Sequence, residues 1–129
     1  MIKKVEQIPP KIRVLITFAS IIIIFACFIY IKDYGWKERR AAFVQSAEET
    51  LNMYGDSIDH TYITHAYVGV YVNSRKWNNT SDDTKDAFMK EVYALLHMDA
   101  INSGIFKDNT IILSFYNGDD RIAMYEIKE

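Results

Sequence analysis

The chain has 129 residues, half of them hydrophobic, with 15 Lys+Arg against 17 Asp+Glu and a single cysteine. That length excludes a large two-domain enzyme, and the hydrophobic share excludes a disordered chain. One cysteine excludes an intramolecular disulfide framework and a thiolate-based structural zinc site within one chain.

The near-neutral total hides a split. Residues 1–40 carry eight basic and three acidic side chains, whereas residues 41–129 carry seven basic and fourteen acidic ones. A basic start beside an apolar run suits an anionic membrane surface. The acidic remainder argues against nucleic acid as a partner, because phosphate repels it.

Residues 1–13 form a short basic tail in which Pro9-Pro10 stops a helix from running back to the terminus. Residues 14–31 (VLITFASIIIIFACFIYI) are uncharged. Eighteen helical residues span about 27 Å, close to the bilayer hydrocarbon thickness, and a transmembrane helix is predicted over 14–32. Thr17 and Ser20 can satisfy themselves on helix carbonyls. Lys11 and Arg13 before the run, and Tyr30, Lys32, Tyr34 and Trp36 after it, are placed at the two membrane interfaces.

Three other readings compete. A cleaved signal peptide lacks a small-x-small site after the run. Lipidation at Cys27 has Ala26 in its favour, but Phe25 and the continuing apolar residues 28–31 against it. A buried core helix with no polar face would find too little protein in a chain of this size to hide in. A single-pass anchor fits best. Each flank carries four basic residues, so the inside-positive count is tied. Lys3-Lys4 with the free amino group, and a cysteine-free remainder, favour a cytoplasmic N-terminus in a plasma or inner membrane, with the rest outside.

Residues 33–40 read as a juxtamembrane junction, with Gly35 the one evident break, and residues 41–129 as a small soluble domain. Phe43, Val44, Ala47, Leu51 and Tyr54 recur at helical spacing within residues 36–54, before Gly55. Residues 55–65 are polar and read as a turn-rich loop. Residues 66–72 alternate as a strand, for which a start as early as Tyr62 is compatible. Residues 73–79 read as a loop holding Trp77.

A second helix starts at Thr80 or Ser81 as cap, with Asp82 and Asp83 at the positive end of its dipole. Phe88, Val92, Leu95 and Leu96 form its stripe, and Ser103-Gly104 ends it, with Ile105 closing a hydrophobic contact. Residues 110–116 and 121–127 are strands joined by the turn Asn117-Gly118-Asp119-Asp120.

The predicted fold is α+β: one transmembrane helix, then an α-β-α-β-β domain of two helices on a three-stranded sheet. In topology alone this order resembles that of small bacterial periplasmic modules of the BON type. The expected core joins Val68, Val70, Val72, Ile111, Leu113, Phe115, Ile122 and Met124 to Phe43, Ala47, Leu51, Phe88, Val92 and Leu96.

No phosphate-binding, nucleophile-elbow, metalloprotease or EF-hand motif occurs. His60 and His65 lie five apart beside Asp56 and Asp59, a poor spacing for ligands on one strand or helix face. No catalytic, cofactor-binding or metal residue is assigned. The informative feature is the other sheet face, predicted to present Tyr67, Tyr71, Ile112, Tyr116, Ala123, Tyr125 and Ile127. Aromatic surface that a small domain cannot cover by itself reads as a partner surface. Tyr67, Tyr71, Ile112, Tyr116 and Tyr125, with Trp77 from the loop, are the expected protein interface.

The sequence thus reads as a bitopic membrane protein with an interaction domain, an accessory or scaffold subunit of a membrane or envelope complex. Its expected partners are the bilayer, other envelope proteins and a second copy of itself. The alternatives are a small immunity or exclusion factor binding an incoming toxin or phage component, and a membrane-bound enzyme using the Asp56–His65 loop.

Overall fold

The computed structural model describes residues 10–129, with the side chains of residues 10 and 30–34 outside the described set. The chain divides into two compact units, at Gly35 and Trp36. Helix α1, Pro10–Asn52, contributes to both, and its backbone stays helical through Gly35.

In the first unit the stretch Lys11–Ile29 is long and apolar enough to cross a bilayer, and none of it is buried in protein. Those properties serve a membrane span and a signal sequence alike. Thr17 Oγ1 donates to the Arg13 carbonyl and Ser20 Oγ to the Ile16 carbonyl, both at 2.9 Å. The polar side chains therefore spend their donors inside the helix, as lipid requires.

The second unit is α+β. The end of α1 buries Phe43, Ala47 and Leu51 at i, i+4 and i+8. After a 3-10 turn at Gly55–Ser57 come β1 (Ile58–Ile63), β2 (Tyr67–Val72), α2 (Ser74–Asn78), α3 (Asp82–Ser103), a second 3-10 turn (Ile105–Lys107), β3 (Ile111–Asn117) and β4 (Asp120–Ile127). The sheet order is β1-β2-β3-β4, with β2 and β3 parallel and both outer pairs antiparallel. The parallel pair requires a crossover, and α2 and α3 supply it.

Helix α3 starts and stops as its sequence implies. Ser81 caps it by accepting from Thr84 N, and Asp82 and Asp83 occupy the first turn. Gly104 ends it at φ +76°, and Ile105 is fully buried beyond it. Its buried residues are Met89, Val92, Leu96 and Ala100, with Phe88 packed partly against the core.

Three expectations need correction. The sheet has four strands, not three. The segment read as a polar loop contains β1, whose only core contacts are Ile58 and Ile63, each partly buried. An edge strand with little burial carries no apolar alternation; its ladder with β2 holds it. The hairpin between them closes on Thr64, whose Oγ1 accepts from Ala66 N and Tyr67 N. The order α-β-α-β-β, and the resemblance resting on it, therefore do not describe this fold. Residues 73–79 also contain α2, capped by the Asn73 side chain accepting from Lys76 N.

The third correction is the register of β4. A two-residue turn pairs Asn117 with Asp120 and Tyr116 with Arg121, but Phe115 then pairs with Ala123. Ile122 is the extra residue of a β-bulge. The bulge exchanges the two faces of the strand. Ile127 is fully buried and Ala123 and Tyr125 pack on the core, while Ile122 and Met124 are exposed.

Two carboxylates tie the helices into this unit. Arg39 grips Asp108 through both nitrogens of its fork, Nε to Oδ2 at 2.7 Å and Nη2 to Oδ1 at 2.8 Å. That bond holds the Asp108 carboxyl below the usual range, with the positive charges of Arg39, Arg40 and Lys107 adding to it. Asp99 accepts from Thr50 Oγ1 at 2.5 Å, joining α3 to α1, but burial raises its carboxyl above the usual range.

The two carboxylates therefore oppose each other in acid. A lowered pKa adds stability above the ordinary carboxylate range, which is lost as pH falls through the folded value. A raised one costs stability at neutral pH and returns it in acid. Asp108→Asn is expected to lower the melting temperature at pH 7 by a few degrees, a deficit that closes towards pH 3. Asp99→Asn keeps an acceptor for Thr50 and is expected to melt higher than the parent at pH 7, an advantage that vanishes in acid. Melting curves of the three proteins at pH 3 and pH 7 check both signs.

Candidate interaction surface

The apolar stripes of α1 and α3 both lie on the face carrying Val68, Val70, Leu113 and Phe115. The opposite face is left to its own side chains. Register places three rows across it: His60, Tyr71, Tyr116 and Arg121; Tyr62, Gly69, Ser114 and Met124; and Tyr67, Ile112 and Glu126.

Aromatic rings organise this face. The His60 ring stacks on Tyr71 at 4.1 Å, and Tyr71 stacks on Tyr116 at 4.6 Å, both nearly parallel. The Tyr116 hydroxyl is hydrogen-bonded to that of Tyr67, and the Tyr67 ring lies 6.1 Å from Tyr62. Burial, then the bond to Tyr116, raises the Tyr67 hydroxyl above the usual tyrosine value. It is therefore a neutral hydrogen-bonding group throughout the physiological range.

Gly69 makes this arrangement possible. A Cβ there would stand 3.2 Å from Tyr67 Cε1, tight enough to make that ring give way, while its 3.6 Å to Tyr116 Cε2 is an ordinary contact. Beneath them Ser114 is fully buried.

Tyr67, Tyr71, Ile112 and Tyr116 are half-buried on this face, as expected. Tyr125 is not among them. Its ring meets Phe115 edge-on at 5.9 Å and Tyr93 at 5.7 Å, inside the helix-covered layer. Trp77 packs at the core edge, 5.9 Å from Phe88, with the Lys85 ammonium 5.4 Å from its ring. The face instead gains Tyr62, 59% exposed, and Met124, 56% exposed. Tyr62 carried a signal in the sequence, since His60 and Tyr62 keep the two-residue period of β1. Met124 carried none, because only the bulge turns it outward.

The histidines do not converge. The His60 ring lies 2.8 Å from the Asp59 carboxylate, whereas His65 sits in the β1–β2 turn, edge-on to Trp36 at 5.9 Å. His97 Nε2 donates to the Lys128 carbonyl, 3.1 Å away. No group of three potential metal ligands comes together among the described residues.

Of the membrane-interface residues, Lys11 and Arg13 are exposed on α1. The side chains of Tyr30, Lys32 and Tyr34 lie outside the described residues. Trp36 belongs to the compact second unit, where the Arg40 guanidinium stands 3.2 Å from its ring centre. Cys27 is exposed.

Together these features define an α+β unit with one uncovered aromatic sheet face, joined in sequence to an apolar helix. Comparison with protein-family models, curated protein sequences and solved structures returns no match.

Proposed function

We propose that this chain is a single-pass, membrane-anchored interaction module, an accessory or scaffold subunit of a membrane or cell-envelope complex. The observation that carries the reading is the unburied apolar stretch Lys11–Ile29, placed just before a compact unit that leaves one aromatic sheet face uncovered. Apolar helix surface and partly exposed tyrosines each find no covering among the described residues: lipid suits the first, protein the second. Anchoring raises the local concentration of the module, so modest contacts suffice for assembly.

In this reading the N-terminus is cytoplasmic and residues 36–129 lie outside. Support comes from Lys3-Lys4 at the start and the absence of cysteine from residues 36–129. Carbonate extraction tests the anchor: the protein is expected to stay with the membrane pellet. Protease added to intact spheroplasts is expected to digest the C-terminal unit. Release by carbonate overturns the anchor, and protection until lysis reverses the orientation.

A further inference from the structure

The charges on the uncovered sheet face form a pattern that a second copy of the chain would complete. Arg121 stands in the row of Tyr71 and Tyr116, and Glu126 in the row of Tyr67 and Ile112. Both are exposed, and neither has an ion pair or a hydrogen bond among the described residues. Asp59, at the β1 edge, is 2.8 Å from the His60 ring. Asp119, in the turn beyond Arg121, and Lys128, beyond the end of β4, repeat the opposition with the signs reversed. Residues 41–129 carry seven basic and fourteen acidic side chains, yet the three rows of this face hold one arginine and one glutamate. Two copies can therefore meet here without the repulsion of their net charge.

The rows also set the symmetry. The middle row runs from Tyr62 through Gly69 and Ser114 to Met124, with an outer row on either side. A two-fold axis lying along that middle row keeps each strand over its own copy and turns it end for end. The outer rows then trade places. Arg121 comes opposite Glu126 of the second copy, and the row of Tyr71 and Tyr116 comes opposite Tyr67 and Ile112. Tyr62 and Met124, both exposed, lie on the axis. The two sheets stack as aligned layers, within about 30° of each other, as the inner faces of a sandwich do. A two-fold axis along the strands instead sets Arg121 over Asp59 and His60, which already pair, and leaves Glu126 facing the β1–β2 turn. We propose that this face pairs with the same face of a second copy about the axis of the middle row, with Arg121 of each copy against Glu126 of the other. This inference rests on the reading of the face as a protein interface and names its partner.

The test uses the full chain with Cys27→Ser and Lys90→Cys, because Lys90 is exposed on α3, away from this face. Copies labelled there with donor or acceptor are reconstituted together into phosphatidylcholine vesicles. Energy transfer is expected to exceed that of chance proximity at the same surface density, and unlabelled chain is expected to compete it away. R121E alone and E126R alone are each expected to weaken pairing by about tenfold, because each homodimer loses two Arg–Glu pairs and sets like charges together. Both positions are exposed, so circular dichroism is expected to be unchanged. Mixing donor-labelled R121E with acceptor-labelled E126R restores opposite charges at both contacts, and transfer is expected to return to the parent level. Parent transfer that neither reversal lowers, or that mixing fails to restore, overturns this inference alone. So does chance-level transfer by a chain that still recovers other membrane partners. Chance-level transfer with no partner recovered overturns the interface reading as well. A chain that stays out of the vesicles overturns the anchor, and the same transfer is then read in solution.

Discussion

Phe43→Ala is expected to bring the second unit to the edge of unfolding. Phe43 is fully buried, on the end of α1 that shares a core with α3 and the sheet. Removing such a ring costs about 3–5 kcal/mol, from lost transfer energy plus the cavity left behind. A unit of 94 residues, from Trp36 to Glu129, has a total stability of only about 5–14 kcal/mol. One ring therefore supports a large share of it. Denaturant titration of the full chain in detergent, followed by tryptophan fluorescence, is expected to show a large drop in midpoint. Phe18→Ala is the matched control, because Phe18 is exposed on the apolar stretch. Its titration is expected to overlay the parent's. Equal midpoints for Phe43→Ala and the parent would mean that α1 does not complete the core.

Charge on the uncovered sheet face is expected to weaken partner binding strongly and spare the fold. Tyr62 and Met124 are both more than half exposed, so Tyr62→Glu and Met124→Glu desolvate nothing in the isolated chain. Against a partner, each places a carboxylate in the middle of an apolar contact. Central aromatic anchors are worth about 2 kcal/mol or more, so affinity is expected to fall by roughly thirtyfold. The readout is recovery of membrane partners by the tagged full chain, quantified by mass spectrometry alongside circular dichroism. Tyr125→Ala is expected to behave in the opposite way, losing stability, because its ring is packed between Phe115 and Tyr93. Gly69→Val is expected to weaken binding by displacing the Tyr67 ring. Full partner recovery by both glutamate variants would remove this face from the interface.

These outcomes turn on features of different legibility. The stripe Phe43, Ala47 and Leu51 could be read from spacing, because a helix with one buried face must repeat its apolar residues every three or four positions. The boundaries of α3 could be read from capping chemistry at Ser81 and Gly104, which is local to a few residues. Tyr67, Tyr71 and Tyr116 could be placed on one face because β2 and β3 alternate without interruption through them. Each of those signals is contained within a single element.

Strand β1 and the face of β4 were not legible for the opposite reason. Ile58, Thr61, Tyr62 and Ile63 are strand formers, but IDHTYI has no apolar alternation to show it; the ladder comes from β2, a different segment. Along β4 an unbroken ladder would put Ile122 and Met124 inward, in agreement with their hydrophobicity. The bulge costs one residue of register and buries Ala123, Tyr125 and Ile127 instead. Either register turns apolar residues inward, so composition does not choose between the two.

The amino-acid sequence by itself determined the apolar helix, the helical stripes and the turn at Gly118, since each follows from neighbours along the chain and the solvent they meet. Tertiary structure alone decided the fourth strand, the outward turn of Met124, the grip of Arg39 on Asp108 and the bracing of Trp36 by Arg40 and His65. Most of those contacts join segments far apart in the chain, and Met124 faces outward because the β3–β4 pairing slips by one residue. That is why no local pattern announced them.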